Sequence, residues 1–480
     1  MQYKIIRKLA YIYISLPLLV FSMMWLNTYS TLFFTSCLLI SFYCTIKQTD
    51  CSNSFKISPK TFYWILLIAF IWVFLSGIGG WWYQSEDFSA RNAIYRDLIN
   101  YSWPVYYPEQ NFTLNYYFGF WLIPALITKL IVYFFAPDNY YFIGMQILMI
   151  WTFLGVALFL LLVINAIKPQ NNYKLALTII IPIIFSGLDI IGACYLGDYH
   201  HEHIDWWTRV QYSSLTTLLF WVFNQTIIPW IATLLLFTEK SPRNFGIIFI
   251  TTLFSAPLPA VGLAILMIAC ILKYFYDEIK EKDLKKFFKT LFSLSNIFSS
   301  PFLYLLYSFY TINTIYDQIP LQWKPFLMVD YINFCLIEFL CYIFLIFKFY
   351  KKDILFHVTI LSLFLLCLLS IGATKDFQMR TTIPAILLLM LYILKYINTI
   401  KVIGYRELIL FIFRIIGSVT PFHEVRRGFT NFIDTGNIFH IDDQYKTFKD
   451  KNIKEFPFFN YLVKDPQPNI FYKYFSKELS

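Results

Sequence analysis

Charge is what this chain has least of. Of its 480 residues only 14% are Asp, Glu, Lys or Arg, against about 25% in soluble domains, so it cannot cover its own surface in water. Its apolar segments are continuous rather than alternating, which excludes a transmembrane β-barrel. The eight cysteines lie mostly inside apolar runs and form no CxxC pair, which argues against a metal knuckle or a disulfide framework. No small-residue cleavage site follows MQYKIIRKLA and its apolar run, so the N-terminus reads as an uncleaved first span. No internal repeat is present.

What fills the chain instead is apolar sequence, 58% hydrophobic and 21% aromatic. Windows of roughly 17 to 25 residues, long enough to cross a ~30 Å hydrocarbon core, recur along it. They lie near 9–26, 30–46, 61–79, 116–136, 143–167, 174–192, 213–238, 244–255, 258–275, 287–308, 326–349, 354–373, 381–399 and 404–418. The expected fold is therefore an all-α, polytopic transmembrane helical bundle of 12 to 14 spans over residues 1–418, its partner the lipid bilayer. Residues 419–480 read as a small polar appendage. Pro257 and Pro259 break one apolar stretch into two half-helices. The net charge of +10 is spread over short loops, the pattern of cytoplasmic ends rather than of a nucleic-acid surface.

Placing the Lys- and Arg-bearing loops inside leaves 80–115, 195–212, 309–325 and 374–380 outside. One segment between Lys60 and Lys168 must then fail to cross, and 116–136, interrupted by Pro124 and Lys129, is the candidate.

Within 80–115, "SEDFSARNAIYRDLI" sets Asp87 and Arg91 four residues apart on a helix, with Ser85 placed to cap it. The helix is expected to lie along the membrane surface, anchored by Trp81, Trp82, Tyr83 and Trp103. The plainer reading is an anchor with surface ion pairs worth ~0–1 kcal/mol each. The functional reading makes Asp87, or Glu86, a catalytic carboxylate, with Arg91 or Arg96 gripping phosphate beside Asp97.

The stretch "GDYHHEHIDWWTRVQYSS" gathers Asp198, His200, His201, Glu202, His203 and Asp205. These are acid–base or substrate-binding candidates, and His200, His203 and Asp205 are candidate ligands for a divalent metal, although no HExxH spacing occurs. A wet interfacial loop is the alternative. Asp189, inside the preceding span, is functional by default as an intramembrane carboxylate. In "IGATKDFQMRTTIP", Lys375, Asp376 and Arg380 must sit at the mouth of the bundle, as a snorkelling pair or as phosphate partners.

The acidic residue in "QSEDFSARN", in a loop with surface helices set against a many-helix bundle, resembles the polytopic membrane glycosyltransferases of the C superfamily (GT-C), which use polyprenyl-phosphate sugars. In "RNAIYRDLINYSWPV", "YYFGFWLIPALI", "HIDWWTRVQYSS" and "KDFQMRTTIPA" the chain is also similar to a group of bacterial membrane proteins to which no activity is assigned. The resemblance implies sugar transfer from a polyprenyl-phosphate donor to an extracytoplasmic acceptor, in cell-envelope polysaccharide biosynthesis at the bacterial inner membrane. It makes Asp87 the base and Arg91, Arg96 and Arg380 the phosphate partners. The chain departs from those enzymes in carrying its loop after the third apolar segment and in lacking a WWD or paired DD motif. A transporter, a flippase for lipid-linked glycans or a polysaccharide polymerase is the rival. Such a protein should bury several ionisable groups at mid-bilayer depth.

Overall fold

Ser58 starts the helix Pro59–Phe74 by accepting a hydrogen bond from the Thr61 amide at 3.1 Å, with proline in the first turn where its missing N–H costs nothing. Asn171, Ser214 and Asp283 cap the helices that follow them in the same way. Between such caps the computed structural model is helical nearly throughout. It describes residues 3–47, 57–196, 203–239, 241–311, 322–323, 328–371, 375–436, 439–442, 446–449 and 461–479.

Among the described residues six helices are long and apolar enough to cross a membrane, including Tyr140–Ile167, Pro257–Lys280 and Met328–Tyr350. A seventh counts if Leu215–Gln225 and Ile227–Thr238, bent by 105°, form one broken span. The chain is thus an all-α polytopic membrane protein, with six or seven full-length candidate spans among the described residues where 12 to 14 spans were expected. Five further apolar helices, including Gly119–Phe135 in the suspect 116–136 segment, are 10–17 residues long, shorter than a full span. The break falls at Pro257 as expected, one helix ending at Ser255 and the next opening at Pro257, but the second is a full-length 24-residue helix with Pro259 in its first turn, not a half-helix.

The loop after Pro59–Phe74 departs from expectation. Its helix, Phe88–Asn100, is buried along nearly all its length instead of lying on a surface. One side packs on Leu122–Phe135, whose Lys129 Nζ donates to the carbonyls of Ile99 at 3.0 Å and Tyr101 at 2.5 Å. That ammonium satisfies the open end of the helix, which explains a lysine in an apolar segment. The other side is covered by the C-terminal tail: Asn92 Nδ2 donates to the Asp442 carbonyl at 3.0 Å, and the Phe448 amide donates to Asp97 at 3.0 Å.

The tail does not stand apart as an appendage. Its first part continues the helix of the preceding segment, giving the 31-residue apolar helix Tyr405–Thr435 across the expected boundary at 418. Its last part adds the strand Leu462–Lys464 to a small antiparallel sheet with Tyr106–Tyr107 and Phe112–Leu114. Phe471 then closes on Phe309 at 4.7 Å, beside the stacked pair Trp25 and Phe118, also at 4.7 Å. Aromatic rings thus join the first helix, the loop and the tail at one end of the bundle.

Candidate functional site

Four-residue spacing on Phe88–Asn100 brings Arg91 Nη2 to Asp87 Oδ2 at 2.6 Å. The Arg91 side chain is 4% exposed and that of Asp87 31%, so the guanidinium is interior and the carboxylate faces outward. Ser85 does not cap this helix: Asp87 occupies the cap position, and the Ser85 hydroxyl is buried without a hydrogen-bond partner.

The short helix Asp376–Thr381 repeats the arrangement. Arg380 Nη2 donates to Asp376 Oδ1 at 2.9 Å, with side-chain exposures of 8% and 33% respectively. Gly262 positions this helix, since a Cβ there would collide with the Thr381 carbonyl oxygen. The two pairs, almost 300 residues apart in sequence, stand together: Arg380 lies within electrostatic reach of both Asp376 and Asp87.

Two tyrosines complete the cluster. Tyr461, at the start of the tail strand, is in electrostatic reach of Arg91, Arg380 and Asp87. The Arg380 guanidinium stands 5.4 Å from the Tyr117 ring, which meets Tyr461 edge-on at 5.8 Å. Tyr117 has φ +63°, a left-handed conformation that bulky residues rarely adopt. Asn224 Nδ2 holds its carbonyl at 3.1 Å. Burial pushes the Tyr117 hydroxyl up to about 12 and raises that of Tyr461, so both remain proton donors at neutral pH.

Arg91 Nε and Nη1 and Arg380 Nε are buried with no acceptor. A buried donor left unmet costs about 1–3 kcal/mol. An oxyanion offering several acceptors between the two guanidiniums would relieve that cost, as arginine forks do with phosphate and carboxylate.

The other expected site residues are placed differently. Arg96 lies over the Tyr141 ring at 3.9 Å and donates to the Lys446 carbonyl at 3.1 Å. Asp97 accepts from the Tyr107 hydroxyl at 2.7 Å as well as from Phe448. Both therefore fasten the tail to the loop instead of joining the arginine cluster. Glu86 is exposed. Lys375 Nζ donates to the Thr208 carbonyl at 2.7 Å and lies 5.5 Å from the Trp206 ring, tying its turn to the 203–212 stretch.

In that stretch His203 and Asp205 are buried, the imidazole Nδ1 lying 3.8 Å from Asp205 Oδ1 and 3.7 Å from Glu424 Oε1. Asp198, His200, His201 and Glu202 lie outside the described residues. Among the described residues no group of three or more His, Cys, Asp or Glu is placed to hold a metal ion.

Tyr117, Tyr461 and Glu424 were missed by sequence reasoning. For the tyrosines no local signal exists, since aromatics are everywhere in this chain. Glu424 stands in the polar run HEVRRG, so nothing in the sequence announced its burial. No family model, no curated protein and no solved structure matches the chain.

Proposed function

We propose that the chain is an integral membrane glycosyltransferase of the C-superfamily kind, moving a sugar from a polyprenyl-phosphate donor to an extracytoplasmic cell-envelope acceptor in a bacterial inner membrane. The observation that carries this reading is the meeting of Asp87–Arg91 with Asp376–Arg380, buried guanidiniums inward and part-exposed carboxylates outward. Sugar transfer needs a base for the acceptor hydroxyl and cations for the leaving phosphate. Asp87 takes the hydroxyl proton as the acceptor oxygen bonds to the anomeric carbon. The bond from that carbon to the phosphate oxygen breaks, and the phosphate leaves with the electron pair. Arg91 and Arg380 face the growing charge with donors that have no other acceptor. Tyr117 and Tyr461 line the same place as neutral donors.

Replacing Asp87 with Asn should abolish transfer of radiolabelled sugar from polyprenyl phosphate in isolated membranes, with the amount of membrane-inserted protein unchanged. Full activity in that variant rules the assignment out.

A second reading, a transporter or flippase for lipid-linked glycans or a polymerase, is favoured by a different observation. Asp189 and Glu338 are ionisable groups buried in apolar helices. Movement of a lipid-linked glycan across reconstituted vesicles with no new glycosidic bond would decide for transport.

A further inference from the structure

A cavity of about 440 Å³ opens in the flank of the bundle between the helices Phe245–Ser255, Pro257–Lys280, Leu294–Ser299 and Pro301–Tyr310. Its volume falls within the ~300–1,000 Å³ of ligand pockets. Ile250 and Met267 form its buried floor, whereas Ile268 and Leu303 at its lips are 55% and 44% exposed, so it opens sideways out of the bundle. The polar side chains in its wall keep their hydrogen bonds for the protein. Asn296 Oδ1 accepts from the Gly246 amide at 2.8 Å, and its Nδ2 donates to the carbonyls of Pro242 and Leu291, each at 2.9 Å. The Ser299 and Ser300 hydroxyls donate to the Ser295 and Ile297 carbonyls, one turn back along the chain. What the wall offers a ligand is apolar contact, which suits hydrocarbon and penalises a polar group.

One end of the cavity carries charge. Leu291 and Phe292 border it there, where the helix Leu284–Leu291 ends. Leu284, Phe287, Phe288 and Leu291 fall on one side of that helix, with Lys285 and Lys289 opposite. Phe287 packs inward on the Phe275 ring at 4.9 Å, while Phe288 and Phe292, stacked at 6.3 Å, are 51% and 62% exposed. Such a helix lies along a membrane surface, its rings in the lipid and its lysines among the headgroups. The turn Pro242–Asn244 packs against it, and Ser293 Oγ donates to the Arg243 carbonyl at 2.5 Å, which brings Arg243 to the same end. The acidic neighbours are already engaged: Glu278 and Glu281 pair with Lys286 at 2.8 and 3.3 Å, and Asp283 accepts from the Lys286 amide at 2.9 Å. Arg243, Lys285 and Lys289 take part in no ion pair among the described residues.

This basic end is distant from the arginine cluster. Pro257–Lys280 meets Asp376–Thr381 at Gly262. Its other end, at Lys280, lies roughly 27 Å further along at about 1.5 Å per residue. An anion held there is not the phosphate that would face Arg91 and Arg380.

We propose that the cavity binds an anionic phospholipid, one acyl chain lying along Ile250, Met267 and Ile271 and the phosphate held by Arg243, Lys285 and Lys289. Two observations together choose this occupant. A wall whose polar side chains are already bonded calls for hydrocarbon, and unpaired cations at one end call for an anionic head. The site is separate from sugar transfer and stands under either reading of the rim.

Native mass spectrometry of the purified full chain in detergent, with added phosphatidylglycerol, phosphatidylcholine or polyprenyl phosphate, tests this. Phosphatidylglycerol should bind at one site at least about tenfold more tightly than phosphatidylcholine, since each cation near an anionic headgroup is worth about fivefold. Arg243→Gln and Lys289→Gln should each lose about fivefold for phosphatidylglycerol alone. Ala264→Phe and Ser300→Trp, which put a ring into the cavity from different helices, should each abolish the preferred binding. Either one that folds is enough. Lys273→Gln, on the exposed pair with Asp277, should leave binding unchanged. The proposal is overturned if the two phospholipids bind alike or if a folded cavity-filling variant binds phosphatidylglycerol as the wild type does. It is also overturned if polyprenyl phosphate competes equally well, which would assign the cavity to the donor, or if the wild type is a dimer that excludes the lipid.

Discussion

Asp97 shows how a single residue changes role once its surroundings are known. In the sequence it stands beside Arg96 and reads as half of a surface pair. In the fold it is buried, and burial pushes its carboxyl up to about 6 against the pull of its hydrogen bonds to the tail and to Tyr107. An unfolded Asp ionises near 3.9. The neutral acid therefore contributes stability that is fully present below about pH 4 and is lost as pH rises through about 6. The melting temperature in detergent should fall across that window, and Asp97→Asn should flatten the fall; an unchanged pH profile in the variant would refute the role. The i,i+4 pairs at Asp87–Arg91 and Asp376–Arg380 were legible because helical periodicity alone brings such residues together. The fates of Arg96 and Asp97 were not, because their partners Lys446 and Phe448 lie about 350 positions away.

Among elements, hydrophobic runs located most helices but not their depth. A window of apolar residues scores alike whether it faces lipid or protein, so Ile383–Thr399, buried almost throughout, reads the same as Pro59–Phe74, whose Tyr63 and Trp64 are exposed. The same blindness made Phe88–Asn100 look interfacial: its Trp- and Tyr-rich flanks suit a membrane surface, but here they pack on the tail, Trp82 against Phe432 at 5.7 Å and Trp81 against Phe439 at 5.3 Å. Contact between Pro257–Lys280 and Asp376–Thr381 depends on the missing side chain of Gly262. Gly262→Ala must push the shorter helix away and with it Arg380. Overpacking of this kind costs about 1–3 kcal/mol, so a lowered melting temperature and a weakened inorganic-phosphate interaction at the rim are expected together. Wild-type melting and phosphate response in this variant would show that the close approach is unimportant.

Across the whole molecule, the spacing of Lys and Arg clusters put four polar segments on one side; of these, 80–115 and 374–380 come within electrostatic reach of one another, Arg380 of Asp87, while most of 309–325 lies outside the described residues. The part played by the tail was invisible, because strand pairing of Leu462–Lys464 with Phe112–Leu114 leaves no periodic trace in three residues. Removing residues 461–480 should strip Tyr461 from the arginines and uncover Phe21 and Phe309. The truncated chain should insert in membranes yet become sensitive to protease within the 101–115 loop, and resistance equal to the full chain would count against the sheet as a clasp.

That three-stranded clasp also sets a timetable. At ~5–20 residues per second, a ribosome needs roughly 20–70 s to deliver the segment that caps the loop, some 350 residues later. Throughout that interval the nascent loop waits with its edge strand open, and a chaperone or a neighbouring chain has its best opportunity to pair with it.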